Sequence, residues 1–261
     1  MLEKVDLTRS LAKEAYVQRL PVLQVRLYDL QKACWEAQIP SIVLFEGWDA
    51  AGKGTAINLL TRRLDPRGFK LYPIQAPRTH EQHMPWLWRF WLKIPNYGEM
   101  AIFDRSWYGR LMVERVEGLT PEALWRKAYR DIVEFERMLA DDGCVLVKYF
   151  LHISQKEQER RFKKLEKDPL ESWHVQAEDW DHHKKYNLYL QAIEEMLVQT
   201  DTEWGPWTII EATDRRWARI KIYEVLISRL ENSLLKKGKP LPPPAPVETP
   251  VETAEPQSEE E

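Results

Sequence analysis

Residues 47–55, Gly47-Trp48-Asp49-Ala50-Ala51-Gly52-Lys53-Gly54-Thr55, carry the plainest chemistry in the chain. Gly47, Gly52 and Lys53 stand at the spacing of a phosphate loop, G-x-x-x-x-G-K-[ST]. Glycines let main-chain N–H groups turn inward around phosphate oxygens. A following helix N-terminus adds partial positive charge, and the lysine adds a mobile full one. Gly54 departs from the pattern, which asks there for a serine or threonine to hold magnesium; Thr55 comes one residue later. Asp49 is unusual in such a loop. A bare carboxylate beside phosphates is repulsive unless a cation lies between them, which makes Asp49 a candidate metal ligand.

Further along, Met100-Ala101-Ile102-Phe103-Asp104 is an apolar run ending in aspartate, followed at once by Arg105-Ser106-Trp107-Tyr108-Gly109-Arg110. Two readings fit Asp104: it caps the next helix, or it delivers a second carboxylate to the sheet edge where the loop lies. Between Gln155 and Trp173, Lys156, Arg160, Lys163, Lys164 and Lys167 fall within an arc of about 100° on a helical wheel, with Phe162 and Leu165 roughly opposite. That face is either a solvated surface laced with i,i+4 ion pairs or a lid turned toward phosphates. His182-His183 and His174 have no acidic or cysteine partner at ligand spacing and read as solvated. The run Trp86-Leu87-Trp88-Arg89-Phe90-Trp91 reads as a helix packed on the sheet or a neighbouring subunit rather than a base-stacking surface.

The elements that must position these groups alternate. Leu7–Gln38 reads as helical with a break or restart at Pro21, and Leu23, Val25, Leu27, Leu30 and Trp35 form its apolar side. Strands are expected at Ser41–Gly47, Phe69–Ala76, Met100–Asp104, Cys144–Ile153 and Trp207–Ala212. Helices are expected at Ala56–Leu64, Trp86–Lys93, Pro121–Asp141, Lys184–Thr200 and onward from the last strand to about Leu235. The pattern predicts an α/β fold with a parallel sheet covered on both faces. It divides into an N-terminal helical segment (1–38), a core (39–235) containing a lid at about 155–183, and a tail (236–261).

The 261 residues are 44% hydrophobic, enough for one full core. Charged residues make up 30% and mean hydropathy is -0.53, so a soluble chain is expected. It has no stretch of roughly 20 apolar residues and no secretory leader. Two cysteines, Cys34 and Cys144, are too few for a disulfide framework, which points to a reducing cytoplasm. Residues 239–261 hold one lysine and six glutamates, so they carry -5 against the chain's net -3 and leave the body at +2. A slightly basic body hints at anionic ligands. The tail, with seven of the 17 prolines, buries too little to offset its ordering and is expected to be disordered.

Together the loop through Gly54, Leu87-Trp88-Arg89, Asp104-Arg105-Ser106-Trp107-Tyr108 with Arg110, Glu114-Arg115-Val116, and Pro206-Trp207 resemble the second family of polyphosphate kinases over about residues 20–235. Gly54 itself is that family's pattern. The resemblance implies a thymidylate-kinase-like three-layer P-loop fold with a helical lid, and transfer of a phosphoryl group between inorganic polyphosphate and a nucleotide (AMP, ADP or ATP). It looks closest to the branch that phosphorylates AMP. It further implies magnesium, or manganese in its place, positioned by Asp49 and Asp104, with Lys53 and Arg105 on the transferring phosphates. Gly47, Ala50, Ala51, Gly52, Gly54 and Thr55 would line the phosphate site. Arg110, Arg160, Arg161, Lys163 and Lys164 would supply further cations. Where many relatives read Pro-Thr, this chain has Pro77-Arg78, and Arg78 is a candidate contact to the acceptor phosphate. A homo-oligomer, dimer or tetramer, without nucleic-acid or membrane partners is expected. The alternatives are transfer to nucleoside diphosphates, an ATP-dependent nucleotide kinase, and a catalytically silent P-loop scaffold.

Overall fold

The computed structural model describes residues 1–244. The expected disordered tail lies, from residue 245 onward, outside the described residues.

Five strands, β1 (Ser41–Gly47), β2 (Phe69–Pro73), β3 (Met100–Asp104), β4 (Val145–His152) and β5 (Trp207–Glu211), form one sheet in the order β2-β3-β1-β4-β5. Every pairing is parallel. β1 is buried from Ser41 to Glu46, and its apolar run Ile42, Val43, Leu44 and Phe45 is fully buried. That is the signature of a strand covered on both faces. Ten α-helices and three short 3-10 helices complete the described chain; the α-helices are α1 (Lys13–Glu36), α2 (Lys53–Thr61), α3 (Thr79–Gln82), α4 (Trp88–Trp91), α5 (Val113–Val116), α6 (Glu122–Asp141), α7 (Gln155–Glu166), α8 (Ala177–Lys184), α9 (Tyr186–Gln199) and α10 (Arg215–Lys236). α6 buries Trp125, Ala128, Tyr129, Ile132, Phe135, Glu136 and Leu139, the three-and-four spacing of a single apolar stripe. Among the described residues no helix is long and apolar enough to cross a membrane.

The chain leaves β1 for β2 on one side, fills the gap with β3, then places β4 on β1's other flank. The C-terminal end of β1 is therefore a topological switch point, where the connections diverge and a crevice opens. Both candidate carboxylates arrive there. Asp49 follows β1, and Asp104 ends β3 in register with Phe45.

Three expectations change. Pro21 lies inside α1 without breaking it. Proline removes the bond to the Val17 carbonyl, and Val17 is exposed, so water can take that acceptor. Trp35 is also half-exposed rather than part of the buried stripe, which runs instead through Gln24, Leu27, Leu30, Gln31 and Cys34. The tryptophan-rich helix shrinks to the four residues of α4. There Phe90 is buried against Trp107 at 5.7 Å between ring centres, while Trp91 stays half-exposed. α1 packs along α10, with Arg26 donating through Nε and Nη2 to Glu231 Oε1 at 2.8 and 2.6 Å. The N-terminal helix is thus built into the same core.

Candidate active site

Gly47 opens the loop because nothing larger fits: a Cβ there would stand 2.4 Å from the Leu151 carbonyl oxygen of β4. The chain then turns through Ala50, at φ +58°, and Gly52, at φ +101°. Left-handed residues between right-handed ones turn successive N–H groups into a concave nest for anions. α2 starts immediately, and its first N–H groups have no helical acceptors. Trp48 fixes the loop's near side. Its indole N–H donates to His152 Nδ1 at 2.9 Å, and its ring stacks on Tyr186 at 4.0 Å. Burial pushes His152 down to about 4, so it is neutral and available as that acceptor.

Lys53 is buried, and its ammonium donates to the carbonyls of Gly47 at 2.9 Å and Trp48 at 3.1 Å. An ammonium has three protons, which leaves one for a ligand in the loop. Burial pulls the Lys53 pKa below its usual value, opposed by the charges of Asp49, Asp104 and Glu46. Arg105 takes a left-handed conformation, φ +64°, an uncommon state for a residue with a side chain. Its guanidinium meets Asp49 Oδ1 at 2.9 Å. Burial works against ionising Asp49, but the hydrogen bond with His182 and the charges of Lys53 and Arg105 outweigh it and hold the carboxyl well below the usual range. The turn after Asp104 is capped by Ser106, whose hydroxyl accepts from the Tyr108 N–H at 3.3 Å. Asp104 is not the cap, which leaves the other reading of that carboxylate standing.

The remaining sequence candidates divide. Thr55 spends its hydroxyl on the Gly52 carbonyl, 2.9 Å away. Arg110 lies 2.9 Å from Glu114 and 4.7 Å above the Trp86 ring. Arg160 and Lys163 are exposed on α7 but pair with Glu157 at 2.7 Å and Glu159 at 2.6 Å, so the ion-pair reading holds for these two. Lys156, Lys164 and Lys167 stand exposed on the same face. Arg161 is a correction: it is 4% exposed and turned into the protein, since at 100° per residue it falls between the cationic arc and the Phe162 side. Arg78 precedes α3 and lines a recess of about 300 Å³ at the end of β2 with Arg89, Lys93, His80, Glu81 and Trp88.

His182 and His183 are a second correction; the side chain of His174 lies outside what the structure describes. His182 is mostly buried, with Nδ1 3.4 Å from Asp49 Oδ2 and Nε2 3.7 Å from Glu178. Its hydrogen bond with Asp49, against the cost of burial, raises its pKa. His183 Nδ1 lies 2.7 Å from Gln158 Oε1. Sequence spacing hid Asp49 and Gln158 because they come from other elements, whereas Glu178 lies one turn before His182 on α8 itself.

Glu46 is the one carboxylate inside β1, and neither the motifs nor the spacing assigns it a role. It is buried, and its Oε1 accepts from the Ser106 hydroxyl at 2.7 Å. Burial pushes its pKa up to about 7, against the pull of Ser106, Lys53 and Arg105. Between about 4.5 and 7 the folded state therefore holds a proton that the unfolded chain has lost, and stability drains away as pH rises through that window. Glu46→Gln cannot lose that proton. Urea titrations should show the wild type losing about 3 kcal/mol relative to Glu46→Gln across the window; parallel pH profiles would place Glu46's pKa near its ordinary value.

Among the described residues no three or more His, Cys, Asp or Glu side chains form a metal-ligating group. Two hard carboxylates beside a phosphate nest nevertheless suit magnesium, which takes one or two carboxylates and completes its shell with phosphates and water.

A parallel sheet with a glycine loop at its switch point, a buried loop lysine and a carboxylate ending the adjacent strand defines a P-loop kinase-like α/β protein. The family model described as polyphosphate kinase 2 matches residues 10–238, and the chain belongs to that family. It is 42% identical over 239 residues to the polyphosphate:AMP phosphotransferase of Pseudomonas syringae pv. tomato, covering 92% of this chain and 48% of that protein. A crystal structure from Pseudomonas aeruginosa PA01 superposes with a TM-score of 0.88 at 42% identity, over 90% of this chain and 52% of that one. Polyphosphate kinase 2 from Arthrobacter aurescens TC1 superposes at 0.87 with 27% identity, over 93% of this chain and 87% of that one. The chain thus spans about half the length of the first two relatives.

Proposed function

We propose that this chain transfers a phosphoryl group from inorganic polyphosphate to AMP, giving ADP. The observation that carries the reading is the loop's place at the C-terminal end of β1, in the middle of the sheet order, with cationic side chains carried by the elements on both flanks. On the β4 side the chain enters α7, whose Lys156, Lys164 and Lys167 are exposed; on the other side, at the end of β2, lies the recess of about 300 Å³ lined by Arg78, Arg89 and Lys93. A long polyanion without bases needs an open track with few directional contacts. A nucleotide needs a pocket. The polyphosphate:AMP phosphotransferase named above supports the choice of substrates.

The donor's terminal phosphoryl group would sit in the nest, against the free proton of Lys53 and the guanidinium of Arg105. A phosphate oxygen of AMP attacks that phosphorus in line, and the donor's bridging oxygen leaves with the bonding pair. One phosphoanhydride replaces another, so the step is close to reversible. The attacking oxygen is already ionised, and no general base is required. Catalysis reduces to positioning and charge neutralisation. Asp49 and Asp104 would hold a divalent cation, which supplies further neutralisation of the phosphate oxygens. Asp49 must then exchange contacts with Arg105 and His182.

The test is a nucleotide panel with polyphosphate and magnesium but no ATP, with products separated by chromatography. ADP should form fastest from AMP; phosphorylation that requires ATP as donor would overturn the proposal. The lysine face makes a separate prediction. Lys164→Gln and Lys167→Gln should each raise KM for polyphosphate about 2- to 5-fold at low salt and flatten its salt dependence. Initial rates at two ionic strengths check this.

A further inference from the structure

The family resemblance groups Arg161 with the lid cations, and its surroundings assign it a different task. A guanidinium has five N–H donors. Nε donates to Glu157 Oε1 at 2.7 Å. Nη1 donates to the carbonyls of Ala50 at 2.9 Å and Ala51 at 3.0 Å. Nη2 donates to those of Ala212 at 2.6 Å and Thr213 at 3.0 Å. No donor remains for a phosphate. We propose that Arg161 is a positioning residue that holds the phosphate loop in its anion-receiving shape, and not a ligand of the donor chain.

The argument follows from peptide geometry. In a trans peptide the N–H points opposite to the preceding C=O. A carbonyl of Ala51 held toward α7 therefore aims the Gly52 N–H away from α7, into the nest. Two residues earlier, Gln158 Nε2 donates to the Asp49 carbonyl at 3.3 Å, which directs the Ala50 N–H in the same sense. Ala50 sits at φ +58°, a state that costs a residue with a Cβ roughly 1 kcal/mol or more and persists only where its surroundings over-determine it. Arg161 supplies that constraint. Its other two bonds fasten the loop to Ala212 and Thr213, between β5 and α10, so the loop is braced against the far side of the sheet.

This role rests on the phosphotransferase reading, and the experiment separates the two. Arg161→Met, Arg161→Lys and, as a comparison, Lys164→Met are assayed with polyphosphate, AMP and magnesium well below their melting temperatures. Titration calorimetry with tripolyphosphate runs in parallel. For Arg161→Met, kcat at saturating substrates should fall about 100-fold, the scale of losing a preorganised main-chain donor. Its KM for polyphosphate should stay within about 3-fold and its salt dependence should be unchanged, since no ionic contact to substrate is lost. Lys164→Met should do the reverse. Arg161→Lys should recover about a tenth of wild-type kcat, because an ammonium reaches some of the carbonyls but cannot fork among all four. Should Arg161→Met fail to fold, the lysine variant decides alone: a reduced kcat at unchanged KM supports positioning, and wild-type kcat overturns it. Arg161→Met with wild-type kcat, raised KM and a flatter salt response overturns it too. A wild-type protein that binds tripolyphosphate but transfers nothing instead sinks the proposed function.

Discussion

Asp104→Asn is expected to lower phosphoryl transfer about 10³-fold while moving the melting temperature by no more than about 2 °C. Asparagine keeps the shape of aspartate and loses only its charge. The main-chain duties of Asp104 are pairing with Phe45 and accepting from the Ile74 N–H at 2.9 Å, and both survive the change. No cap is lost, because Ser106 performs that task. What disappears is a negative charge that helps raise the pKa of Arg105 and opposes the lowering of Lys53 by burial, and with it one of two proposed oxygen ligands for the cation. Transfer rates with polyphosphate and AMP, beside a thermal melt of the same sample, check both halves. A folded variant with wild-type rates would remove Asp104 from the chemistry.

The same residue shows which parts of this site a sequence exposes. A phosphate loop is local: one strand, one turn and one helix start carry it, so Gly47 to Thr55 could be placed from spacing alone. β1 and β3 have the bounds expected of them because buried parallel strands are continuous apolar runs with sharp ends. Groups whose meaning depends on a distant partner stayed hidden. His182 meets Asp49 across 133 positions, and no periodicity encodes that. Arg161 sits one position from the exposed Arg160, and its four carbonyl partners come from two other connections. Main-chain acceptors have no sequence signature at all. Glu46 was legible as an anomaly, since a carboxylate inside a buried strand must find a partner or a proton. Which partner it finds depends on where Ser106 lands. Pro21 shows the opposite error: a strong local preference is overridden where the lost acceptor faces water.

Lys148 is the other charged residue in a buried strand, and replacing its partner should produce the largest loss of stability. Lys148 and Glu136 are both fully buried, with Nζ 2.8 Å from Glu136 Oε2. The ammonium also donates to the Thr200 carbonyl at 2.8 Å and the Tyr108 hydroxyl at 2.9 Å, which satisfies all three protons. Glu136 Oε1 accepts from Tyr108 at 2.7 Å and from the Trp107 indole at 3.0 Å. Glu136→Gln turns one acceptor into an amide that faces the ammonium with its own protons, and leaves a buried charge unpaired. The expected cost is about 3–5 kcal/mol, or a melting temperature lower by about 10 °C. Lys148→Met should cost a similar amount by stranding Glu136. The double variant Glu136→Gln/Lys148→Met should be more stable than Glu136→Gln alone, because removing both charges ends the uncompensated one. Urea denaturation of the four proteins closes the cycle; strictly additive losses would mean that the two charges are not coupled. The cluster matters beyond stability, since only Ser106 separates Trp107 and Tyr108 from Asp104 and Arg105. A loosened anchor for those rings lets the left-handed turn at Arg105 relax, so Glu136→Gln should also lose transfer activity at temperatures where it remains folded. The charge at the centre of the core and the charge at the mouth of the site are then held in place by the same short stretch of chain.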